Sequence, residues 1–259
     1  MKNLFSLEGR TALITGGSRG IGKMIAEGFL TYGAKVYLSA RKGGALEETA
    51  KELSKLGSCT PIVLDASGAD GAKKMADAYL KHESKLDILV NNAGAAWGAA
   101  FDEFPEAGWD KVMDLNVKTP FFLTQALHGA LKAAASPQRL AKVINIASID
   151  GISVNPQETY SYSASKAGLI HLTKRMALRL ISDNIVVSAI APGAFASDMN
   201  RTARDHGDAI SKVIPSGRIG KSEDMAGAAI YLASNAGDYV VGSTLVVDGG
   251  VTYVAGQRS

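Results

Sequence analysis

Seven short runs of the chain are dense in aliphatic and branched residues: Thr11–Thr15, Lys35–Ala40, Thr60–Leu64, Leu86–Val90, Lys142–Ala147, Ile185–Ile190 and Thr244–Val247. Most are nearly continuous in Val, Ile, Leu and Ala, the pattern of strands buried on both faces. Longer stretches rich in Ala, Glu, Lys and Leu separate them, such as Ala45–Leu56, Asp70–His82 and Ser222–Ala233, and these read as helices. Strand and helix alternate throughout, which predicts an α/β fold with a doubly wound parallel sheet of about seven strands and helices on both faces. No internal repeat or low-complexity linker interrupts the pattern, so residues 1–259 read as one domain. The least regular stretch, about 195–220, holds Phe195, Met199, several charges and Pro215. It reads as a lid over a binding site, with a plain surface excursion as the alternative.

Composition narrows the function classes. The chain is 46% hydrophobic and 20% charged, ordinary for a globular protein, and its net charge is +3. That charge is too small, and too evenly spread, to argue for nucleic acid or an anionic membrane. Cys59 is the single cysteine, so no internal disulfide forms, which fits a reducing compartment. His82, His128, His171 and His206 show no metal-ligand spacing, so no metal is expected. Met1–Ser6 lacks the apolar stretch of a signal peptide, and no apolar run approaches the roughly 20 residues of a membrane helix. The expectation is a cytoplasmic protein without a membrane partner.

The first strand runs into Gly16-Gly17-Ser18-Arg19-Gly20-Ile21-Gly22 and then a helix. Glycines let the backbone turn sharply and a pyrophosphate approach closely, while the helix N-terminus offers N–H groups and a positive dipole end. Glycines also end strands for structural reasons alone, but the strand-to-helix position favours a dinucleotide site. An NAD site carries an acid at the end of the second strand. Here that strand ends Ala40-Arg41-Lys42, and Arg19 and Arg41 suit a 2′-phosphate. NADP(H) is the expected cofactor.

Tyr162 and Lys166 stand four apart in a helical run and share a face. A free tyrosine has a pKa of about 10, too high for proton transfer near neutrality, and an adjacent ammonium is expected to lower it. Tyr160 lacks such a partner, because position 164 is alanine. In a parallel sheet the strand ends Gly16–Gly22, Asn91–Gly94, Ser148 and Ala191–Gly193 share one edge, where ligands bind. Asn116 reads as a mid-helix amide just before a long apolar helix over 117–134.

Taken together, Thr15–Gly22, Asn91–Gly94, Asn116, Ser148, Tyr162–Lys166, Pro192–Gly193 and Val247–Gly250 resemble the motifs of the short-chain dehydrogenase/reductase family, which has a Rossmann-type fold. Within it, Gly16–Gly22 and Asn91–Ala100 are similar to the 3-oxoacyl reductases of the rhamnolipid-biosynthesis type. The resemblance implies that Tyr162 is the general acid in reduction, that Lys166 lowers its pKa and holds the nicotinamide ribose, that Ser148 binds the substrate carbonyl, and that Asn116 holds a water in a proton relay. It further implies that Gly16, Ser18, Arg19, Gly20, Ile21, Gly22, Arg41, Asp65, Ala66, Asn92, Ala93, Gly94, Pro192, Gly193, Phe195 and Ser197 contact the cofactor. Ser197 stands where threonine is frequent, and the Ser148–Tyr162 gap is one residue longer than in many members. The expected reaction is NADPH-dependent reduction of a ketone, a 3-oxoacyl thioester first. A steroid, sugar or simple secondary alcohol is the alternative substrate, and a dinucleotide sensor without turnover the alternative class. Trp97, Phe195 and Met199 fit an apolar substrate or ordinary core packing. The apolar helices 117–134 and 164–181 resemble those the family packs into dimers and tetramers.

Overall fold

The computed structural model describes residues 3–196 and 205–254. Among them, seven parallel strands form one sheet in the order β3-β2-β1-β4-β5-β6-β7. The strands are β1 (Thr11–Thr15), β2 (Lys35–Ala40), β3 (Cys59–Val63), β4 (Ile88–Asn91), β5 (Ala141–Ile146), β6 (Ile185–Pro192) and β7 (Thr244–Val247). The order reverses direction between β1 and β4, which opens a crevice beyond their C-terminal ends. The central strands β4, β5 and β6 are buried along their whole lengths, as their mostly apolar runs lead one to expect. Pro61 lies in the edge strand β3, where a missing N–H does least harm to the ladder.

Helices α1 (Gly20–Thr31), α2 (Gly43–Leu53), α3 (Gly68–Leu80), α4 (Glu106–Met113), α5 (Thr119–Ala126), α6 (His128–Ala134) and α7 (Tyr160–Leu180) cover the sheet. They are followed by α8 (Gly207–Ser211), α9 (Ser222–Ala233) and α10 (Val251–Val254). Two apolar layers result. Ile25, Phe29, Leu38, Ile144 and Met225 belong to one, and Met75, Tyr79, Leu123, Leu131 and Val187 to the other.

Residues 117–134 are not one long helix. A π-helical turn occupies Asp114–Lys118, and the helix breaks again at Leu127 between α5 and α6. Thr119 Oγ1 donates to the Asp114 carbonyl at 2.8 Å, within the widened turn. Such turns arise where a side chain competes with the backbone ladder. The 195–220 excursion starts and ends at one place. Phe195 and Gly220 form a parallel bridge, and Gly220 N donates to the Ala194 carbonyl at 2.9 Å.

The edge of the sheet opposite the crevice is stitched by charge. Lys142, on β5, is 1% exposed and meets Asp238 at 2.7 Å. Arg10 donates to Leu140 O and Asn235 Oδ1, while Asp87 accepts from Thr11 N and pairs with Arg139. Removing one partner of a buried pair strands the other charge, whereas an apolar replacement of the buried ion leaves none stranded. Asp238→Asn should therefore cost about 2 kcal/mol, less than a fully buried pair because Asp238 is half-exposed. Lys142→Met should cost less than that. Urea denaturation midpoints check both, and an Asp238→Asn protein as stable as the parent would refute the role.

Candidate active site

The crevice begins with the turn after β1. Gly16 and Gly20 have φ of +67° and +54°, a region open to glycine. A side chain at Gly22 would lie 2.4 Å from the Gly16 carbonyl oxygen, and one at Gly17 would strike Leu38. The turn is clasped to the end of β4. Thr15 Oγ1 accepts from Asn92 N and Ala93 N, both at 3.0 Å, and Asn92 Nδ2 donates to Thr15 O and Gly16 O at 2.8 and 3.0 Å. No side chain caps the N-terminus of α1, so its first N–H groups face the turn Gly16–Gly20 without a side-chain acceptor. Ser18 is tied through its carbonyl to Thr49 Oγ1, and Ile21 packs against the core.

Arg19 and Arg41 are both exposed on this side of the sheet. Arg41 lies 3.9 Å from the Asp65 carboxylate, a loose and exposed contact. Ala66, the next residue, is buried. The turn, the bare helix end and the basic end of β2 fit a dinucleotide carrying an extra phosphate.

The chemical groups converge beside it. Ser148 follows β5, and its Oγ accepts from Asp150 N at 3.1 Å. That leaves the Ser148 O–H to donate outward. Its hydroxyl also interacts with the Tyr162 phenol and draws the phenol pKa down. Tyr162 and Lys166 lie on the first turns of α7, with the Lys166 ammonium 5.5 Å from the centre of the Tyr162 ring. Lys166 is buried and donates to the Ile146 carbonyl at 2.8 Å.

Burial pushes Tyr162 up to about 12, against the pull of Ser148. One donor of the Lys166 ammonium goes to the Ile146 carbonyl, and its own pKa falls to about 8 through burial.

Asn116 sits in the π-turn, 1% exposed. Its Oδ1 accepts from Ala95 N at 2.8 Å, and its Nδ2 donates to Ala95 O and Ser165 Oγ, both at 2.9 Å. Ser165 Oγ in turn donates to the Tyr162 carbonyl at 2.7 Å. The side chain therefore joins the loop after β4 to the catalytic helix. Gly94 faces it, since a side chain there would come within 3.2 Å of Asn116 Oδ1 and 3.7 Å of Lys166 Nζ.

Pro192 and Gly193 end β6, and Gly193 backs onto Asp248. Phe195 is 2% exposed, and its ring packs against Gly220 in the core, so core packing accounts for it. Trp97 lies over Gly108 with the Lys111 ammonium 5.3 Å from its ring centre. Ser197 and Met199 lie outside the described residues.

Three features escape the sequence reading. Asp150 acts on both Tyr162 and Lys166. Phe101, Phe104, Trp109 and Tyr160 form an edge-to-face aromatic group around a cavity of about 480 Å³. A buried chain, Asn91 to Asn145 to Thr173, ties β4 and β5 to α7 beneath the site. A charge two residues beyond Ser148 was the available signal for the first. No sequence signal marks the other two. Among the described residues no cluster could hold a metal ion, and no helix is long and apolar enough to cross a membrane.

Comparison with known proteins places the chain among enzymes. A family described as enoyl-(acyl carrier protein) reductase matches residues 16–252. The rhamnolipids biosynthesis 3-oxoacyl-[acyl-carrier-protein] reductase of Pseudomonas aeruginosa is 46% identical over 96% of this chain and 99% of its own. Gluconate 5-dehydrogenase of Gluconobacter oxydans is 35% identical over 96% and 97%. The solved Pseudomonas aeruginosa RhlG/NADP active-site complex superposes with a TM-score of 0.93 at 46% identity, covering 97% of this chain and all of the other.

The tight packing at Gly22 yields a test of the cradle. Its blocking atom is backbone and cannot turn aside, so Gly22→Ala should force the turn open. NADPH binding, followed by quenching of tryptophan fluorescence, should weaken at least about tenfold, the loss of one good phosphate contact. Unchanged affinity would remove this turn from the cofactor site.

Proposed function

The chain belongs to the short-chain dehydrogenase/reductase family, and on that premise we propose that it is an NADPH-dependent reductase of 3-oxoacyl thioesters or related 3-oxo esters. The observation that carries this reading is the convergence of Ser148, Tyr162 and Lys166 beside a phosphate turn whose neighbouring strand ends in Arg41. The curated 3-oxoacyl reductase relative, 46% identical, supports the substrate class.

When bound, the cofactor supplies the hydride. Ser148 O–H and Tyr162 O–H are the donors that meet the carbonyl oxygen as it gains charge, where fixed donors count most. Tyr162 then gives up its phenolic proton to that oxygen. Tyr162, like any phenol, carries its proton at neutral pH and so can serve as the acid of reduction. Lys166 lies beneath the phenol, placed to hold the nicotinamide ribose and to balance the phenolate once the proton has left. Asn116 fixes the loop on which Gly94 borders the cofactor and anchors the Tyr162 turn through Ser165. Asn92, Ala93, Pro192 and Gly193 line the rest of the cofactor cleft, and the 195–220 excursion acts as the substrate lid.

A second reading, oxidation of a sugar acid, is favoured by the gluconate 5-dehydrogenase relative at 35% identity. Incubation with NADPH and a panel of 3-oxoacyl thioesters, an enoyl thioester and 5-ketogluconate separates the readings by loss of cofactor absorbance. Tyr162→Phe should abolish turnover of the preferred ketone while NADPH binding is kept. Substantial residual turnover would overturn the assignment.

We also infer a cytoplasmic homo-oligomer, a dimer or tetramer. Phe121 on α5 and Leu178 on α7 are exposed apolar groups that a second copy would cover. Light scattering should give two or four times the 27.0 kDa of one chain, and a monomer mass would refute it.

A further inference from the structure

Ser148 is followed at once by a single helical turn, Ile149–Gly151, and that turn is pressed onto the catalytic helix. A side chain at Gly151 would stand 2.6 Å from the Lys166 carbonyl carbon and 2.7 Å from Ala167 N. Both are backbone atoms, so the turn and α7 hold each other at a fixed distance. Asp150 lies at the centre of this turn. Its N–H fixes the Ser148 hydroxyl at 3.1 Å, and its carboxylate accepts from Asn155 Nδ2 at 2.7 Å. Asn155 is itself held, its Oδ1 accepting from Gln157 N at 2.7 Å. A carboxylate is thus locked, through both its backbone and its side chain, beside the acid and the ammonium of the site.

We propose that Asp150, tethered by Asn155, is a positioning residue that sets the proton balance of the Tyr162–Lys166 pair and so the pH range in which the pair works. A negative charge beside the pair opposes formation of phenolate and favours the ammonium. Asp150 raises both Tyr162 and Lys166. Glu158, the nearest acid on the neighbouring loop, is engaged by Tyr160 Oη and Phe101 N instead. Asn116, packed on the opposite side, is uncharged. The reaction itself is unchanged: hydride passes to the carbonyl carbon and the Tyr162 proton to the oxygen.

This inference rests on the proposed reductase reading, and its test is built to fail separately. Tyrosinate absorbance of each protein, less that of its Tyr162→Phe counterpart, reports Tyr162 ionisation without substrate. In Asp150→Asn, which keeps shape and loses charge, the titration should move to lower pH by about half a unit or more. In turnover, the alkaline fall of reduction and the alkaline rise of oxidation should shift together in the same direction. Oxidation on its rising limb should then gain about threefold. Asn155→Ala, which keeps the charge and loses the tether, should give a smaller shift of the same sign. A titration unmoved in Asp150→Asn, with or without loss of kcat, would overturn the proposal and leave Asp150 a structural residue. A shifted titration with no reduction of any 3-oxoacyl thioester would uphold it and sink the substrate reading instead.

Discussion

Lys166 is an ammonium kept 4% exposed, and much of the site is arranged around tolerating it. A charge out of water must be hydrogen-bonded or paired, or it loses its proton. The Ile146 carbonyl takes one of its three donors. Asp150 opposes part of the desolvation that pulls the ammonium toward neutrality. The demand reaches the backbone on either side. Gly94 leaves room above the ammonium, and Gly151 lets the Ser148 turn lie flat on the helix that carries it. Two glycines, one carbonyl and one carboxylate, from three parts of the chain, therefore answer to a single side chain.

The two edges of the sheet divide the labour. At the N-terminal edge, Arg10, Asp87, Arg139, Lys142 and Asp238 pair with one another and with backbone, and they stitch strands together. At the C-terminal edge, polar groups are held in place with capacity left over. Ser148 accepts from the backbone and keeps its own proton to give, and the first N–H groups of α1 lack a side-chain cap. Beneath them Asn91, Asn145 and Thr173 hold β4, β5 and α7 in register. Rigidity is built into the layer below so that the reactive layer has its hydrogen bonds free.

Periodicity made most of the fold legible. The bounds of β1, β2 and β7 agree with the apolar runs that suggested them, and β3 and β5 differ by one residue. The failures are all tertiary. The π-turn at the head of 117–134 holds Asn116 to Ala95 and Ser165, contacts far apart in sequence. The i, i+4 spacing correctly placed Lys166 beside Tyr162, but not the Ile146 carbonyl that claims the ammonium. Phe195 could be read from sequence as lining the site or as core packing, and only the bare backbone of Gly220 shows its ring turned inward. Asp150 carried a charge in plain view, yet its reach depends on how Gly151 meets α7.

The bridge between Phe195 and Gly220 bears on how such a protein diversifies. The excursion leaves and rejoins the scaffold at one hydrogen-bonded point, anchored by a buried ring. For a loop with its ends already joined, added length costs little, because closure entropy grows only as the logarithm of loop size. The closing half is tied a second time, where Ser216 N donates to the Gly249 carbonyl just after β7 and Ile214 is buried against the same turn. A change in the excursion's length is therefore cheap, while its closing half, held at Ile214 and Ser216, keeps a fixed place against the end of the sheet.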